Sequence, residues 1–267
     1  MLINGIESKH VDAKDRGLAY GDGLFTTIKV KFGEVQLWDL HLQRLQLGAK
    51  TLFFPRIDWP QLANEVHQVA SRFADVSDSV LKIILTRGSG GRGYSTKGCD
   101  TPVRIISSSA YPEFYSEWQA QGIDIILCES TLSRNKQLAG LKTLNRLEQV
   151  IIKKELELKQ VLEGIVCDDN GYVIEGCSAN LFIYLNQQWQ TPTLDKSGVA
   201  GVQRKNIMTL AKVKGIEIVE CHIHQDQLID AQAICLSNAL MGIVPVNTLQ
   251  GRQLNIEPCR TLQSIIK

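Results

Sequence analysis

The chain has 267 residues, of which 44% are hydrophobic and 21% are charged. This composition permits a full hydrophobic core and is unlike that of a disordered protein. Lysine and arginine number 29 against 28 aspartate and glutamate residues, so the near-neutral charge offers no electrostatic surface for nucleic acid or anionic lipid. A small-molecule partner is therefore expected, rather than a nucleic acid or a membrane.

Secretion and membrane insertion are not expected from the sequence. No stretch approaches the roughly 18 consecutive apolar residues that a membrane-spanning helix needs. Near the amino terminus, where a signal peptide would be apolar, the chain carries Asn4, Glu7, Lys9 and Asp12. The seven cysteines are scattered and include no C-x-x-C pair, which argues against disulfides and against a zinc site. A cytoplasmic protein with reduced thiols is expected.

The first half of the chain predicts strands and two helices. In YGDGLFTTIKVKFGEVQLWDL, Gly33-Glu34 separates two runs rich in aromatic and β-branched residues, which is typical of a β-hairpin. Apolar residues at helical spacing indicate helices over about 41–52 and 59–73. Strands are expected at about 80–86 and 103–107, joined by a glycine-rich loop.

A domain connection is predicted between about residues 109 and 122, where Pro112 stands among several aromatic residues. The predicted domains are a smaller α/β one of residues 1–111 and a larger β-rich one of residues 112–267. The second domain is expected to contain a long helix over about 144–162. The remaining predicted elements are, in chain order, strands at IDIILCES (before that helix), GIVC (Gly164 to Cys167), YVIEG, NLFIYL and WQTP, a helix over about 202–214, a strand at IEIVECHI, a short helix near 225–228, and strands at AICLS and GIVPV. The four strands from GIVC to WQTP suggest an antiparallel sheet.

The glycine-rich loop fits a nucleotide-binding pattern only superficially. Gly88, Gly90 and Gly93 match G-x-G-x-x-G, but a dinucleotide site needs a helix to begin at the third glycine, so that its N-terminus meets the pyrophosphate. The residues that follow read as loop. A nicotinamide-dependent oxidoreductase is therefore a distant alternative. The loop is either a flexible surface segment or a device that lets Arg92 and Tyr94 reach into a site.

Lys142 and Glu175 are the candidates for cofactor chemistry. Lys142 lies among leucines, where a lysine usually extends along a helix surface, yet a desolvated lysine can also act as a nucleophile toward a carbonyl. Glu175 follows the strand-like run YVI and precedes Gly176-Cys177. It is either a solvated turn residue or a carboxylate that keeps the nitrogen of a pyridine ring protonated.

Other positions are possible ligands for anions or metals. Arg44 is either an exposed helical charge or a phosphate ligand. Gly201-Val202 opens a predicted helix, whose free N–H groups favour an anion, although a plain helix cap is the alternative. His222 and His224 alternate on one strand, but no third ligand stands at a useful spacing, so no metal site is predicted.

The order of these segments resembles the fold-type IV pyridoxal-phosphate enzymes, which include branched-chain and D-amino acid aminotransferases and 4-amino-4-deoxychorismate lyase. The similar blocks are, in chain order, DRGLAYGDGLFTT, HLQRL, AGLKTLNRLEQV, VIEGCSANLF, GVQR and SNALMGIVPV. The resemblance runs nearly end to end. It implies an α+β or α/β fold with the two-domain D-amino acid aminotransferase-like architecture, a cofactor site between the domains, and a homodimer.

The resemblance also implies pyridoxal 5′-phosphate as the cofactor and assigns roles to residues. Lys142 would bind the cofactor's aldehyde covalently, and Glu175 would face the pyridine nitrogen. The remaining expected contacts are Arg44 and backbone groups at Gly201, Val202, Asn238 and Ala239 for the phosphate, with Asn180 shaping the pocket.

Within this family, RGSGGRGYS and AGLKTLNRLEQV resemble the lyase more than the aminotransferases, because the lysine block lacks the aromatic residue that many aminotransferases carry shortly after the lysine. The resemblance thus implies conversion of 4-amino-4-deoxychorismate to 4-aminobenzoate and pyruvate, in folate synthesis. Lys142 would be nucleophile and base. Arg92 and Tyr94 would contact the substrate's carboxylates, since a guanidinium can bind a carboxylate in a bidentate manner. An aminotransferase of branched-chain or D-amino acids is the nearest alternative.

Overall fold

The computed structural model describes residues 1–266, and the chain forms two compact units. The first unit consists of Met1–Pro112 and Leu141–Asn145. The second consists of Glu113–Gly140 and the residues from Arg146 onward. The boundary expected between residues 111 and 112 stays a prediction. The short segment Leu141–Asn145, which contains Lys142, packs with the first unit although it is distant from the rest of that unit in sequence.

The first unit is built on a six-stranded antiparallel sheet. Its strands are β1 (Leu2–Ile3), β2 (Ile6–Glu7), β3 (Gly23–Lys31), β4 (Glu34–Val35), β5 (Asp78–Thr86) and β6 (Val103–Ala110). They lie in the order β2-β1-β6-β5-β3-β4. The predicted hairpin is confirmed as β3 and β4, in which Lys31 pairs with Glu34. Phe32 and Gly33 form its turn in left-handed conformations, with φ of 48° and 78°, and glycine favours such a turn.

Three helices accompany this sheet: α1 (Arg16–Tyr20), α2 (Trp38–Thr51) and α3 (Trp59–Ala70), the last continued by a 3-10 turn at Ser71–Phe73. Both predicted helices are confirmed, although α2 begins about one turn earlier than expected. Alternate residues of β3, including Leu24 and Ile28, are buried together with Leu45 of α2 and Leu62 of α3. Each such side chain contributes about 1.5–3 kcal/mol of burial free energy, so this core orients the sheet and helices that carry Arg44.

The second unit is built on a nine-stranded mixed sheet. Its strands are β7 (Ile123–Leu127), β8 (Glu163–Cys167), β9 (Val173–Gly176), β10 (Asn180–Leu185), β11 (Gln188–Pro192), β12 (Ile218–Cys221), β13 (Ala233–Asn238), β14 (Gly242–Leu249) and β15 (Arg252–Gln253). The order is β12-β11-β10-β13-β14-β7-β8-β9, and β15 pairs with β14. The expected antiparallel pairing is present between β8 and β9 and between β10 and β11. The sequence did not predict the parallel pairs β11–β12, β14–β7 and β7–β8.

The helices of the second unit are α4 (Phe114–Gln121), α5 (Leu147–Leu158), α6 (Val202–Val213) and α7 (Glu257–Ser264), with a 3-10 helix at Gln225–Asp230. The helix α6 matches its prediction closely. The helix predicted over 144–162 was too long at both ends. At its start, the N–H group of Leu144 donates to the Gly23 carbonyl in a strand pairing and is not part of the helix. At the other end, Gln160 has a φ of 56°, which ends a helix. The helix α4 occupies the region that had been expected as a connection.

None of the helices within residues 1–266 combines the length and apolar character needed to cross a bilayer. All seven cysteines are free thiols, and five of them are buried. Burial raises the pKa of Cys128, Cys167 and Cys177 to about 12, so these thiols are protonated and unreactive at neutral pH.

Candidate active site

Lys142 lies in a short extended segment that pairs with the beginning of β3. The N–H of Phe25 donates to the Lys142 carbonyl at 3.0 Å, and the N–H of Leu144 donates to the Gly23 carbonyl at 3.0 Å. This approach requires a glycine, because a Cβ on Gly23 would lie 2.5 Å from the Leu144 side chain. Lys142 is therefore held at a sheet by its backbone and does not belong to a helix.

The amino group of Lys142 lies against an aromatic ring. Its Nζ is 4.5 Å from the centre of the Phe25 ring, within the range of a cation–π interaction. Lys82 Nζ is 5.2 Å from the centre of the same ring, but Lys82 is exposed whereas Lys142 is half-buried. The half-buried amine against an apolar surface is the environment expected of a lysine that reacts with a carbonyl.

Arg44 is fixed on α2 by a hydrogen-bonded group that the sequence did not indicate. Arg44 Nη2 donates to Thr26 Oγ1 at 2.6 Å, and Thr26 Oγ1 lies 2.6 Å from Nδ1 of the fully buried His41. Burial, with the positive charges of Arg44 and Lys142, lowers the pKa of His41 to about 3. His41 is therefore neutral at physiological pH. Since the charges of Arg44 and Lys142 both lower its pKa, both side chains lie near the imidazole of His41.

Glu175 is a buried carboxylate at the end of β9. It is 5% exposed, and its Oε2 accepts a hydrogen bond from Val199 N at 2.8 Å. Burial lowers the pKa of Arg146, whereas the carboxylates of Glu175 and Glu148 raise it, so Arg146 and Glu175 interact electrostatically. A carboxylate that is fixed and accompanied by a cation is suited to remain ionised. The alternative of a solvated turn residue is wrong for Glu175.

Asn180 and Gly201 shape the start of α6. Asn180 Nδ2 donates to the Val199 carbonyl at 2.8 Å. A Cβ on Gly201 would lie 1.9 Å from Asn180 Oδ1, so only glycine is tolerated there. Gly201 is the residue before the helix, and no side chain caps α6 at this end. The first N–H groups of a helix, which include that of Val202, carry partial positive charge and favour an anion such as a phosphate.

Asn238 organises the turn between β13 and β14. Its Oδ1 accepts hydrogen bonds from Leu240 N and Met241 N at 2.9 Å each, and its Nδ2 donates to the Ser178 carbonyl at 3.2 Å. The side chain therefore fixes the backbone conformation around Ala239. This is the segment from which the resemblance leads us to expect phosphate contacts.

Glu163 is a buried carboxylate in the same unit that sequence reasoning missed. Its Oε1 accepts from Cys177 N at 2.7 Å, and its Oε2 accepts from Ser178 N at 3.2 Å and from Ser178 Oγ at 2.6 Å. Burial raises the pKa of Glu163, although these hydrogen bonds lower it. The carboxylate fixes the turn that connects Glu175 to Asn180. The available signal was an acidic residue at the head of the apolar strand EGIVC.

Arg92 and Tyr94 stand on the glycine-rich loop, and both are exposed. The Tyr94 ring packs at 5.7 Å from the ring of Tyr20. The loop joins the antiparallel strands β5 and β6, and residues 87–102 contain no helix. The alternative of a dinucleotide-binding loop therefore lacks the helix N-terminus that it requires.

The described residues fit the chemical requirements of pyridoxal 5′-phosphate. This cofactor needs an amine for its aldehyde, a carboxylate for its ring nitrogen, and positive or N–H groups for its phosphate. The first unit brings Lys142 and Arg44 near each other, and the second brings Glu175 near Asn180 and the uncapped start of α6 at Gly201. The start of α6 is the most specific observation, because Gly201 carries no side chain there and no side chain caps the helix N-terminus.

Residues 23–249 match the amino-transferase class IV family. Since this match spans most of the chain, the protein belongs to that family, and it is a class IV enzyme that depends on pyridoxal phosphate. The predicted fold-type IV relationship, the two-sheet α+β fold and the cofactor are thereby confirmed.

Individual relatives include both lyases and aminotransferases. An aminodeoxychorismate lyase from Vibrio harveyi is 34% identical over 255 residues, which cover 96% of this chain and 93% of that protein. The crystal structure of 4-amino-4-deoxychorismate lyase from Pseudomonas aeruginosa is 35% identical with a TM-score of 0.92, covering 98% of this chain and 96% of that one. A branched-chain-amino-acid aminotransferase from Escherichia coli (strain K12) is 26% identical over 264 residues, covering 95% of this chain and 84% of that protein.

Proposed function

We propose that this protein is an aminodeoxychorismate lyase that converts 4-amino-4-deoxychorismate to 4-aminobenzoate and pyruvate. The observation that carries the proposal is the 34–35% identity to two lyases over nearly the whole chain, against 31% and 26% to two proteins named as branched-chain-amino-acid aminotransferases. The backbone-held Lys142 beside the Phe25 ring supports the chemistry. The loop RGSGGRGYS supports the choice of substrate, since its exposed residues Arg92 and Tyr94 are of the kind that binds carboxylates.

When bound, pyridoxal 5′-phosphate supplies an aldehyde that links to amines and a ring that accepts electrons. Lys142 Nζ removes the proton from the substrate carbon that bears the amino group. The enolpyruvyl group then leaves with the electrons of its carbon–oxygen bond, and the substrate ring becomes aromatic. The protonated Lys142 returns that proton to the methylene carbon of the leaving group, which gives pyruvate.

The other residues hold charges in place. Glu175 would hold the ring nitrogen of the cofactor and keep it protonated, which its buried and fixed position supports. Arg44 and the N–H groups at Gly201, Val202, Asn238 and Ala239 would bind the phosphate, while Asn180 would maintain the start of α6 through its hydrogen bond to Val199. Arg92 and Tyr94 contact the substrate's carboxylates.

The proposal is tested by incubating the protein, loaded with pyridoxal phosphate, with 4-amino-4-deoxychorismate. We expect 4-aminobenzoate and pyruvate to form in equal amounts. The same preparation is assayed for transamination with branched-chain and D-amino acids and a 2-oxo acid. Transamination without 4-aminobenzoate would replace the lyase proposal with the aminotransferase alternative.

Arg44→Gln should weaken cofactor binding. The substitution removes a charged donor to the phosphate, and a hydrogen bond from a charged group contributes about 1.5–3 kcal/mol. We therefore expect the Kd for pyridoxal phosphate to rise roughly 10- to 100-fold, measured by titrating the apoprotein and following cofactor absorption. The matched control is Arg72→Gln, since Arg72 pairs at the surface with Glu7. Equal Kd values for the two variants would contradict the role of Arg44.

We propose a homodimer, because α5 carries an exposed apolar stripe. Leu147, Val150, Ile151 and Leu158 are each more than half exposed and lie on one face of the helix, since their spacing follows its period. A contiguous apolar surface of this kind marks an interface, and a second copy of the chain is the proposed occupant.

The double substitution Val150→Lys and Ile151→Glu should shift the protein to monomers in sedimentation velocity, because burying these charges against a partner is costly. The control is Val213→Lys, which alters an equally exposed apolar residue on α6 and should leave the sedimentation coefficient unchanged. An unchanged coefficient for the α5 variant would remove α5 from the interface.

A further inference from the structure

One buried arginine holds the tip of the glycine-rich loop. Arg16 of α1 is 4% exposed. Its Nη1 donates to the carbonyls of Gly93 at 2.9 Å and Ser95 at 3.2 Å, and its Nη2 lies 3.5 Å from the carbonyl of Tyr94. Its Nε pairs with Asp22 Oδ2 at 2.9 Å. A single guanidinium therefore donates to the carbonyls of three consecutive residues, which the five N–H donors of arginine permit.

The loop folds back on itself at Gly91, next to the guanidinium of Arg16. Gly91 has a φ of 68°, and a Cβ there would lie 2.0 Å from the Ser95 carbonyl oxygen and 3.3 Å from Arg16 Nη1. The backbone thus turns back on itself directly beside the guanidinium. Since Arg92 and Tyr94 are part of this turn, the direction of their side chains depends on it.

Asp22 pairs with the guanidinium of Arg16. Burial raises the pKa of Asp22, but the hydrogen bonds from Arg87 and Arg16 outweigh burial, so its pKa lies below its usual range. The aspartate is ionised at neutral pH and pairs with Nε of Arg16, whereas Nη1 and Nη2 donate to the loop. The loop is therefore attached to α1 and to the start of β3 by an ion pair that is largely shielded from water.

We propose that Arg16 is a positioning residue for substrate recognition: it fixes the loop 91–95 so that Arg92 and Tyr94 present their side chains to the substrate's carboxylates. This inference rests on the proposed function for the identity of the substrate. Because the guanidinium of Arg16 is directed to the loop carbonyls and to Asp22, its effect is expected in KM rather than in cofactor binding.

Arg87 provides a matched control in the same unit. It is also 4% exposed, and its Nε pairs with the same Asp22 oxygen at 2.7 Å. Its remaining donors bind the carbonyls of Phe53 at 2.8 Å and Leu52 at 2.7 Å instead of the loop. Arg16 and Arg87 are thus equally buried and pair with the same aspartate, Asp22, but their remaining donors hold different segments of the chain.

The experiment compares Arg16→Lys with Arg87→Lys in the cofactor-loaded full-length protein. A lysine keeps the charge but not the fork of donors. We expect Arg16→Lys to raise KM for 4-amino-4-deoxychorismate about tenfold or more, with kcat and cofactor Kd nearly unchanged. Hydrogen exchange of the amides in residues 89–98 should accelerate in this variant. Arg87→Lys should leave both KM and that exchange at the wild-type level.

Two results would overturn the inference: equal KM changes in both variants, or unaltered exchange of the loop in Arg16→Lys. If wild-type protein forms no 4-aminobenzoate, the lyase proposal fails, while loop exchange still decides whether Arg16 fixes the loop. KM is then measured for the amine that the wild type does use. Should Arg16→Lys not fold, Gly91→Ala disturbs the same turn and should raise KM without weakening cofactor binding; unchanged KM would overturn the inference.

Discussion

We expect Lys142→Ala to abolish both the absorption of lysine-bound pyridoxal phosphate and the formation of 4-aminobenzoate. The variant has no amine to bond to the cofactor or to move the proton, and loss of a proton-transferring group alone costs about 10²–10⁴-fold in rate. The folded structure should persist, because the Lys142 backbone hydrogen bond to Phe25 is independent of the side chain. Absorption spectra, product assays and thermal unfolding measure these three quantities.

Lys82→Ala is the control for this experiment. Lys82 Nζ also lies near the Phe25 ring, at 5.2 Å from its centre, so its loss tests whether any lysine beside the ring suffices. Activity and absorption should remain at the wild-type level. Borohydride reduction followed by peptide mass analysis should locate the cofactor on Lys142. Label on another lysine, or product formation by Lys142→Ala, would refute the assignment.

Glu175→Gln should retain the cofactor but lower turnover by about 10²–10³-fold, the size of effect seen when one electrostatic partner of a developing charge is removed. A neutral amide cannot balance a protonated ring nitrogen, so the ring accepts electrons less readily. The amide oxygen can still accept the hydrogen bond from Val199 N. Stopped-flow absorption and steady-state assays of the purified variant test this expectation.

The control for Glu175→Gln is Glu65→Gln. Glu65 is also a buried carboxylate, but it pairs with Arg104 in the first unit. That substitution should lower the unfolding temperature and leave the turnover of folded protein unchanged. If the two variants lose turnover equally, the effect of Glu175 would be structural and the assigned role would be wrong.

The sequence predicted most long elements because their apolar periodicity is strong. The burial pattern of β3, in which Leu24, Ile28 and Val30 are buried between more exposed residues, is the alternation that identifies a strand. The short helix α1 and the helix α4, which buries none of its residues, lack such a pattern. Periodicity cannot find elements that do not bury a continuous apolar face.

For the candidate site, the sequence identified residues through family blocks but not through their contacts. The helical spacing after Lys142 suggested that the helix begins at Leu144, whereas hydrogen bonds to β3 extend the backbone there. Those bonds join residues far apart in sequence, so no local pattern reveals them. The buried groups His41 and Glu163 were missed for the same reason, since each is defined by partners from other segments.

The pairing of Leu141–Asn145 with β3 also has a consequence for the order of folding. The hydrogen bond between Phe25 and Lys142 joins residues roughly 120 positions apart, and contacts of such long range form late because closing the intervening loop costs entropy. The sheet of the first unit can receive its lysine only after the ribosome has released the chain beyond residue 145. Covalent attachment of the cofactor is therefore possible only after more than half of the 267 residues have been made, and a nascent chain that stops earlier carries Arg44 but not the lysine proposed to bind the aldehyde.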